Sequence, residues 1–204
     1  IERNIDEMLR IGSKKIRMDW ETSLVKLIEL LDAASIRWWL AGSAACCIRG
    51  ISIQPNDIDV MTYESEIQKF QNLGNEYIIE PFHSINDWVV KGFGVLYIHG
   101  RIDVAFEPIE SVDDNGRLDF GVYASNHLRL VNWKGFDVLV PPLELHLMSN
   151  RLRNRLDRII KIEEFMLKNP SGNCFPEGKF VNNSSTVGLE ISGNDDKTCK
   201  ALLN

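Results

Sequence analysis

Ala41-Gly42-Ser43 closes an apolar run, and Asp57-Ile58-Asp59-Val60 follows a short interval later. Both have the residue types for handling phosphate. A Gly-Ser turn at a helix start offers backbone N–H groups and a hydroxyl to phosphate oxygens. Two carboxylates alternating with aliphatics lie on one face of a strand, and their hard oxygens suit Mg²⁺. A third acid, Asp103, stands in a similar strand, Arg101-Ile102-Asp103-Val104-Ala105-Phe106. An Asp-x-Asp pair alone says little, because a solvated strand face also carries alternating acids. Three acids on two apolar strands say more. Like charges repel, so a fold that gathers them needs a cation to compensate. The set points to metal-dependent phosphoryl or nucleotidyl chemistry at Asp57, Asp59 and Asp103, with Gly42 and Ser43 at the phosphates.

The elements around these residues must deliver them. Trp20, Leu24, Leu27, Ile28 and Leu31 recur at helical spacing and predict an amphipathic helix. Ile36 to Leu40 reads as a buried strand ending at Gly42, and Ser43 as the cap of a short helix, Ala44 to Arg49, stopped by Gly50. The turn Gln54-Pro55-Asn56 delivers Asp57 to Met61 as a strand. Ile67, Phe70 and Leu73 line a helix that ends at Gly74-Asn75. Short strands are predicted at Tyr77 to Ile79, Trp88 to Val90, Val95 to Ile98 and Ile102 to Phe106. Leu128 to Trp133 and Phe136 to Val140 predict a hairpin around Lys134-Gly135. Pro142 suits a first helical position, and Leu152, Leu156, Ile159, Ile160, Glu163 and Met166 trace the stripe of a last helix ending near Leu167. The expected class is α+β: a mixed β-sheet with flanking helices on one face, closed by a C-terminal helical pair. The expected units are an N-terminal arm (1–18), the main domain (19–140), a helical extension (141–168) and a flexible tail (169–204) rich in Asn, Ser and Gly.

Composition narrows the partners. The 204 residues carry a net charge of -6, with 44% hydrophobic and 25% charged residues, so a broadly basic nucleic-acid binder is not expected. The one basic cluster is Arg151, Arg153, Arg155 and Arg158, read either as a solvated helix face or as a surface for a polyanionic acceptor such as tRNA. Arg49 could reach a phosphate from the end of the short helix, or it could complement that helix's dipole. The four histidines, His83, His99, His127 and His146, show no ligand spacing, and of them His99 lies closest to a candidate site acid, Asp103. Cys46 and Cys47 sit in an apolar stretch, and Cys174 and Cys199 are isolated, which suits a reducing compartment. The longest apolar stretch, Trp38 to Ile48, is too short for a bilayer. A cytoplasmic protein is expected, with no membrane partner.

Trp39-Leu40-Ala41-Gly42-Ser43 leading to Asn56-Asp57-Ile58-Asp59-Val60, with His99-Gly100-Arg101-Ile102-Asp103-Val104 later, resembles the nucleotidyltransferase superfamily that includes DNA polymerase beta. The likeness is nearer to small stand-alone members such as aminoglycoside nucleotidyltransferases and toxin-type enzymes, and it spans about residues 19–167. It implies that Gly42 and Ser43 hold the triphosphate and that Asp57, Asp59 and Asp103 hold two Mg²⁺ ions. It also implies that a nucleoside monophosphate moves from an NTP, most simply ATP, to an acceptor hydroxyl. Cys46-Cys47-Ile48 departs from the polar or acidic residues that many relatives place on the short helix. The acceptor is left open among a small molecule, tRNA and a protein, and a homodimer is compatible with the reading. Two rivals are a non-catalytic antitoxin or interaction module and an unrelated metal-dependent hydrolase. Retention of all three acids counts against the first, and the Gly-Ser turn against the second.

Overall fold

The computed structural model describes residues 5–12, 17–86, 89–109 and 121–169. Helix α1 (Ile5–Gly12) precedes α2 (Trp20–Ala33), whose Trp20, Leu24, Leu27, Ile28 and Leu31 are all buried, as their spacing requires. Asp19 caps α2 by accepting from the Thr22 backbone N–H at 3.2 Å.

Strands β1 (Trp38–Ala41), β2 (Ile58–Thr62), β3 (Ile78–Ser84), β4 (Val90–Tyr97) and β5 (Arg101–Pro108) form one mixed sheet in the order β1-β2-β5-β4-β3. The β2–β5 pair is its one parallel seam. Strand alternation divides the sheet into two faces. Leu40, Ile58, Val60, Ile102 and Val104 pack into the core with α2. Trp39, Ala41, Met61 and Ala105 belong to a second cluster on the other side, with Leu128.

Helix α3 (Gly42–Cys47) follows β1 directly, and α4 (Ile67–Gln71) places Phe70 in the main core. After the short α5 (Val122–Asn126) comes the hairpin β6 (Arg129–Trp133) and β7 (Phe136–Val140). Its turn residues Lys134 and Gly135 have φ of 51° and 85°, the sign that a two-residue type I′ turn needs. The chain ends its described part with the pair α6 (Leu143–Leu152) and α7 (Leu156–Lys168). Cys46, Ile51 and Ile53 pack with Leu143, Leu147 and Ile162, which joins this pair to the α3 region.

Four local expectations are corrected. Ser43 does not cap α3; the chain turns into the helix two residues earlier, with extended Ala41 as N-cap and Ser43 already inside. Pro142 likewise sits at the N-cap of α6, with ψ 142°, instead of at the first helical position. The strands expected at Trp88 to Val90 and Val95 to Ile98 are one continuous β4, with Trp88 outside the described residues. The inner face of α7 is Ile159, Ile162, Phe165 and Met166, while Leu156 and Ile160 are exposed and Leu152 belongs to α6. The proposed tail lies outside the described residues, save for Asn169. Among the described residues, no helix is long and apolar enough to cross a membrane.

Candidate active site

Parallel pairing of β2 with β5 sets Asp59 directly beside Asp103, and antiparallel pairing of β1 sets Ala41 beside Asp59. Ile58, Val60, Ile102 and Val104 point into the α2 core, so alternation turns Asp59 and Asp103 to the opposite face. Asp57 stands just before β2, two residues from Asp59. All three half-buried carboxylates line one cavity of about 420 Å³, together with Gly42 and Ser43.

Gly42 is needed there on two counts. Its φ of +61° lies in the left-handed region that residues with a Cβ rarely adopt. A Cβ built on it would also fall onto the Asp59 carboxylate, 2.8 Å from its Cγ. The absent side chain therefore leaves room for Asp59 beside the start of α3.

Asp103 is held by Arg101, whose Nε donates to Oδ1 at 2.6 Å. Burial nevertheless raises its pKa above the usual carboxylate value, with Asp57 and Glu80 pushing the same way and Arg101 opposing. The acids fit a hard divalent cation by donor type and by the like charge that Asp57 sets against Asp103. They are not a preformed cage: among the described residues no three His, Cys, Asp or Glu side chains converge on one ion position. A cation bound at Asp103 would compete with the Arg101 guanidinium.

The helical pair supplies another wall of the cavity, with His146 and Asn150 from α6, Arg153 and Arg155 from the turn, and Arg158 from α7. The sequence offers the arginines as a helix face or an acceptor surface and His146 only as a histidine without ligand spacing; Asn150 is new to the site. The i, i+4 spacing of His146 and Asn150 within the inner stripe of α6 was the signal, since polar residues on a buried face call for an explanation. The other histidines lie elsewhere. His83 is on β3 near Glu80, His127 stacks on Tyr123, and His99 neighbours Asp19.

Arg49 is not among the residues lining the cavity. It donates to the Ala45 carbonyl at 2.7 Å and also to the carbonyl of Pro141, tying the end of α3 to the start of α6. Burial lowers its pKa to about 10 against the opposing influence of Cys46 and Glu144. This is the bond pattern of a structural tie. Arg49→Met should lower stability by about 2–3 kcal/mol, the scale of hydrogen bonds from a charged donor, and leave nucleotide affinity unchanged. Denaturant melts beside nucleotide titration check this. Lost affinity at full stability would restore the phosphate-binding role.

No family model matches the chain, and no curated protein matches it in sequence. Solved structures do share its fold. One is a Thermotoga maritima protein assigned as a nucleotidyltransferase, with a TM-score of 0.56 at 18% identity, covering 75% of this chain and 96% of that one. Another is a lincosamide antibiotic adenylyltransferase solved with lincomycin bound, with a TM-score of 0.51 at 17% identity, covering 70% of this chain and 96% of that one. The mixed sheet with its C-terminal helix pair is thus a nucleotidyltransferase fold, in agreement with the resemblance carried by the Gly-Ser and Asp motifs.

Proposed function

From the nucleotidyltransferase fold as premise, we propose that this chain transfers a nucleoside monophosphate from an NTP, most simply ATP, to an acceptor hydroxyl and releases pyrophosphate. The observation that carries the reading is the in-register pair Asp59–Asp103, which shares one cavity with Asp57 and lies against Gly42.

Asp57, Asp59 and Asp103 would hold Mg²⁺, Asp57 and Asp59 on the nucleotide side and Asp103 on the acceptor side. Two such ions, when bound, steady the charge on the entering and departing oxygens of an in-line displacement. The chain's own residues do the rest. Gly42 and Ser43 present the start of α3 to the phosphates, and Gly42 leaves room for the Asp59 carboxylate beside it. Arg101 holds the Asp103 carboxylate in place through the 2.6 Å contact. The half-buried position of the acids limits water around the reacting atoms. Cys46 and Cys47 form no disulfide, which suits a reducing compartment such as the cytoplasm.

The test is incubation of the protein with α-labelled NTPs, Mg²⁺ and cell extract, followed by identification of what carries the label. Labelling that requires Asp103 supports transfer. Mg·NTP binding with no label in any acceptor would favour an interaction module. Ser43→Ala should weaken Mg·NTP binding about tenfold, the scale of one hydrogen bond to a charged group, with thermal stability retained. Unchanged affinity in a titration with Mg²⁺ would remove Ser43 from the site.

A further inference from the structure

We infer that the acceptor is a phosphate-bearing compound with a free hydroxyl, held by Arg153, Arg155 and Arg158 with Asn150. The inference rests on the transferase reading above and names the substrate class of that site. The turn between α6 and α7 makes the arrangement. Asn154 adopts φ 53°, and the residues on either side of it, Arg153 and Arg155, both line the cavity, joined by Arg158 from the first turn of α7. Arg151 behaves differently: it lies outside the cavity lining and pairs with Glu163 at 2.7 Å. No described acid pairs with the side chain of Arg155 or Arg158. Guanidinium forks match phosphate oxygens in geometry and charge, whereas a polycationic acceptor would meet like charge at Arg155 and Arg158.

Asn150 adds the second part of the recognition. It is only 7% exposed, and its Nδ2 donates to the His146 carbonyl at 2.8 Å. That bond fixes the other end of the amide as Oδ1, which is buried without a hydrogen-bond partner on a residue of the cavity wall. An amide oxygen only accepts, so it calls for a ligand O–H or N–H and not for a phosphate oxygen. A hydroxyl beside a phosphate satisfies both groups. The nucleotide's own phosphates have Gly42, Ser43 and the acid-bound metal, which leaves the arginine wall to the other substrate.

The experiment is calorimetric titration of the whole chain with ribose 5-phosphate and with ribose. Each titration is run alone and with Mg²⁺ plus the non-transferable α,β-methylene analogue of ATP. Ribose 5-phosphate should bind at least about tenfold more tightly than ribose. Arg155→Gln and Arg158→Gln should each weaken it by about tenfold while leaving the affinity for the analogue unchanged, and Arg151→Gln should change neither. Equal binding of ribose and ribose 5-phosphate overturns the inference. So does loss of analogue affinity in the arginine variants, which would assign the wall to the nucleotide's tail. Failure of the wild-type chain to bind the Mg·analogue would instead overturn the transferase reading. The titration without nucleotide would then still decide whether the arginines form a phosphate site.

Discussion

Asp103→Asn should abolish turnover while leaving most of the Mg·NTP affinity in place. Asp57 and Asp59 remain to hold the nucleotide side, whereas a neutral amide at position 103 is a poor ligand for a hard cation. Losing the acceptor-side ion removes several kcal/mol of transition-state stabilisation, which is about a 10³-fold or larger fall in kcat at 1.36 kcal/mol per decade. Asp57→Asn and Asp59→Asn should damage binding and turnover together. The protein without metal should be as stable as wild type in the Asp103 variant, or more so. Burial and the charge of Asp57 already disfavour the Asp103 carboxylate, and its partner Arg101 is half exposed, at 51%. Steady-state kinetics, equilibrium nucleotide binding and thermal melts read these effects separately, and unfolding of all three variants would give the acids a structural role. The upward pKa of Asp103 adds a direction with pH. Below that pKa the site carries a proton that a cation must displace, so Mg²⁺ affinity should strengthen as pH rises through it. Asp103→Asn should flatten that dependence.

Gly42→Ala should damage stability and activity together. Alanine in the left-handed region costs about 1–2 kcal/mol, and overpacking against the Asp59 carboxylate adds about 1–3 kcal/mol. A fall in Tm of roughly 5–15 °C follows for a domain of this size. Activity should vanish even where the fold survives, because relief of the overlap has to displace the Asp59 carboxylate from its place in the acid set. Ser43→Ala next to it should be mild by comparison. A Gly42→Ala protein with wild-type melting and turnover would show that the close approach is not what sets the position of Asp59.

Where one element decides its own fate, the sequence was a sound guide. The apolar spacing of α2, the Lys134-Gly135 turn and the alternation of acids with aliphatics in β2 and β5 all read correctly, because each is fixed by neighbours along the chain. Strand β4 read wrongly for a cross-strand reason. Gly92 and Gly94 look like breaks, yet Phe106 occupies the space beside Gly92 and Phe82 the space beside Gly94. An aromatic ring from a neighbouring strand covers each glycine and lets the strand run on. The face of α7 is not legible from spacing alone, because Leu156 and Ile160 fit the apolar stripe and yet are exposed. The role of the α6–α7 arginines was hidden for the same kind of reason. Their local pattern is that of a solvated helix, and only the packing of the pair near α3 brings them to the acids' cavity.

The parallel seam between β2 and β5 has a consequence for how the protein comes into being. Parallel neighbours cannot be joined by a tight turn, and here β3 and β4 intervene in sequence between the strands that carry Asp59 and Asp103. A chain growing on the ribosome therefore displays Gly42, Ser43, Asp57 and Asp59 well before it can complete the acid set. Only when β5 slots between β2 and β4 does the third carboxylate arrive, and that step closes a long loop, which is slow. No N-terminal fragment ending before Asp103 can hold the full set.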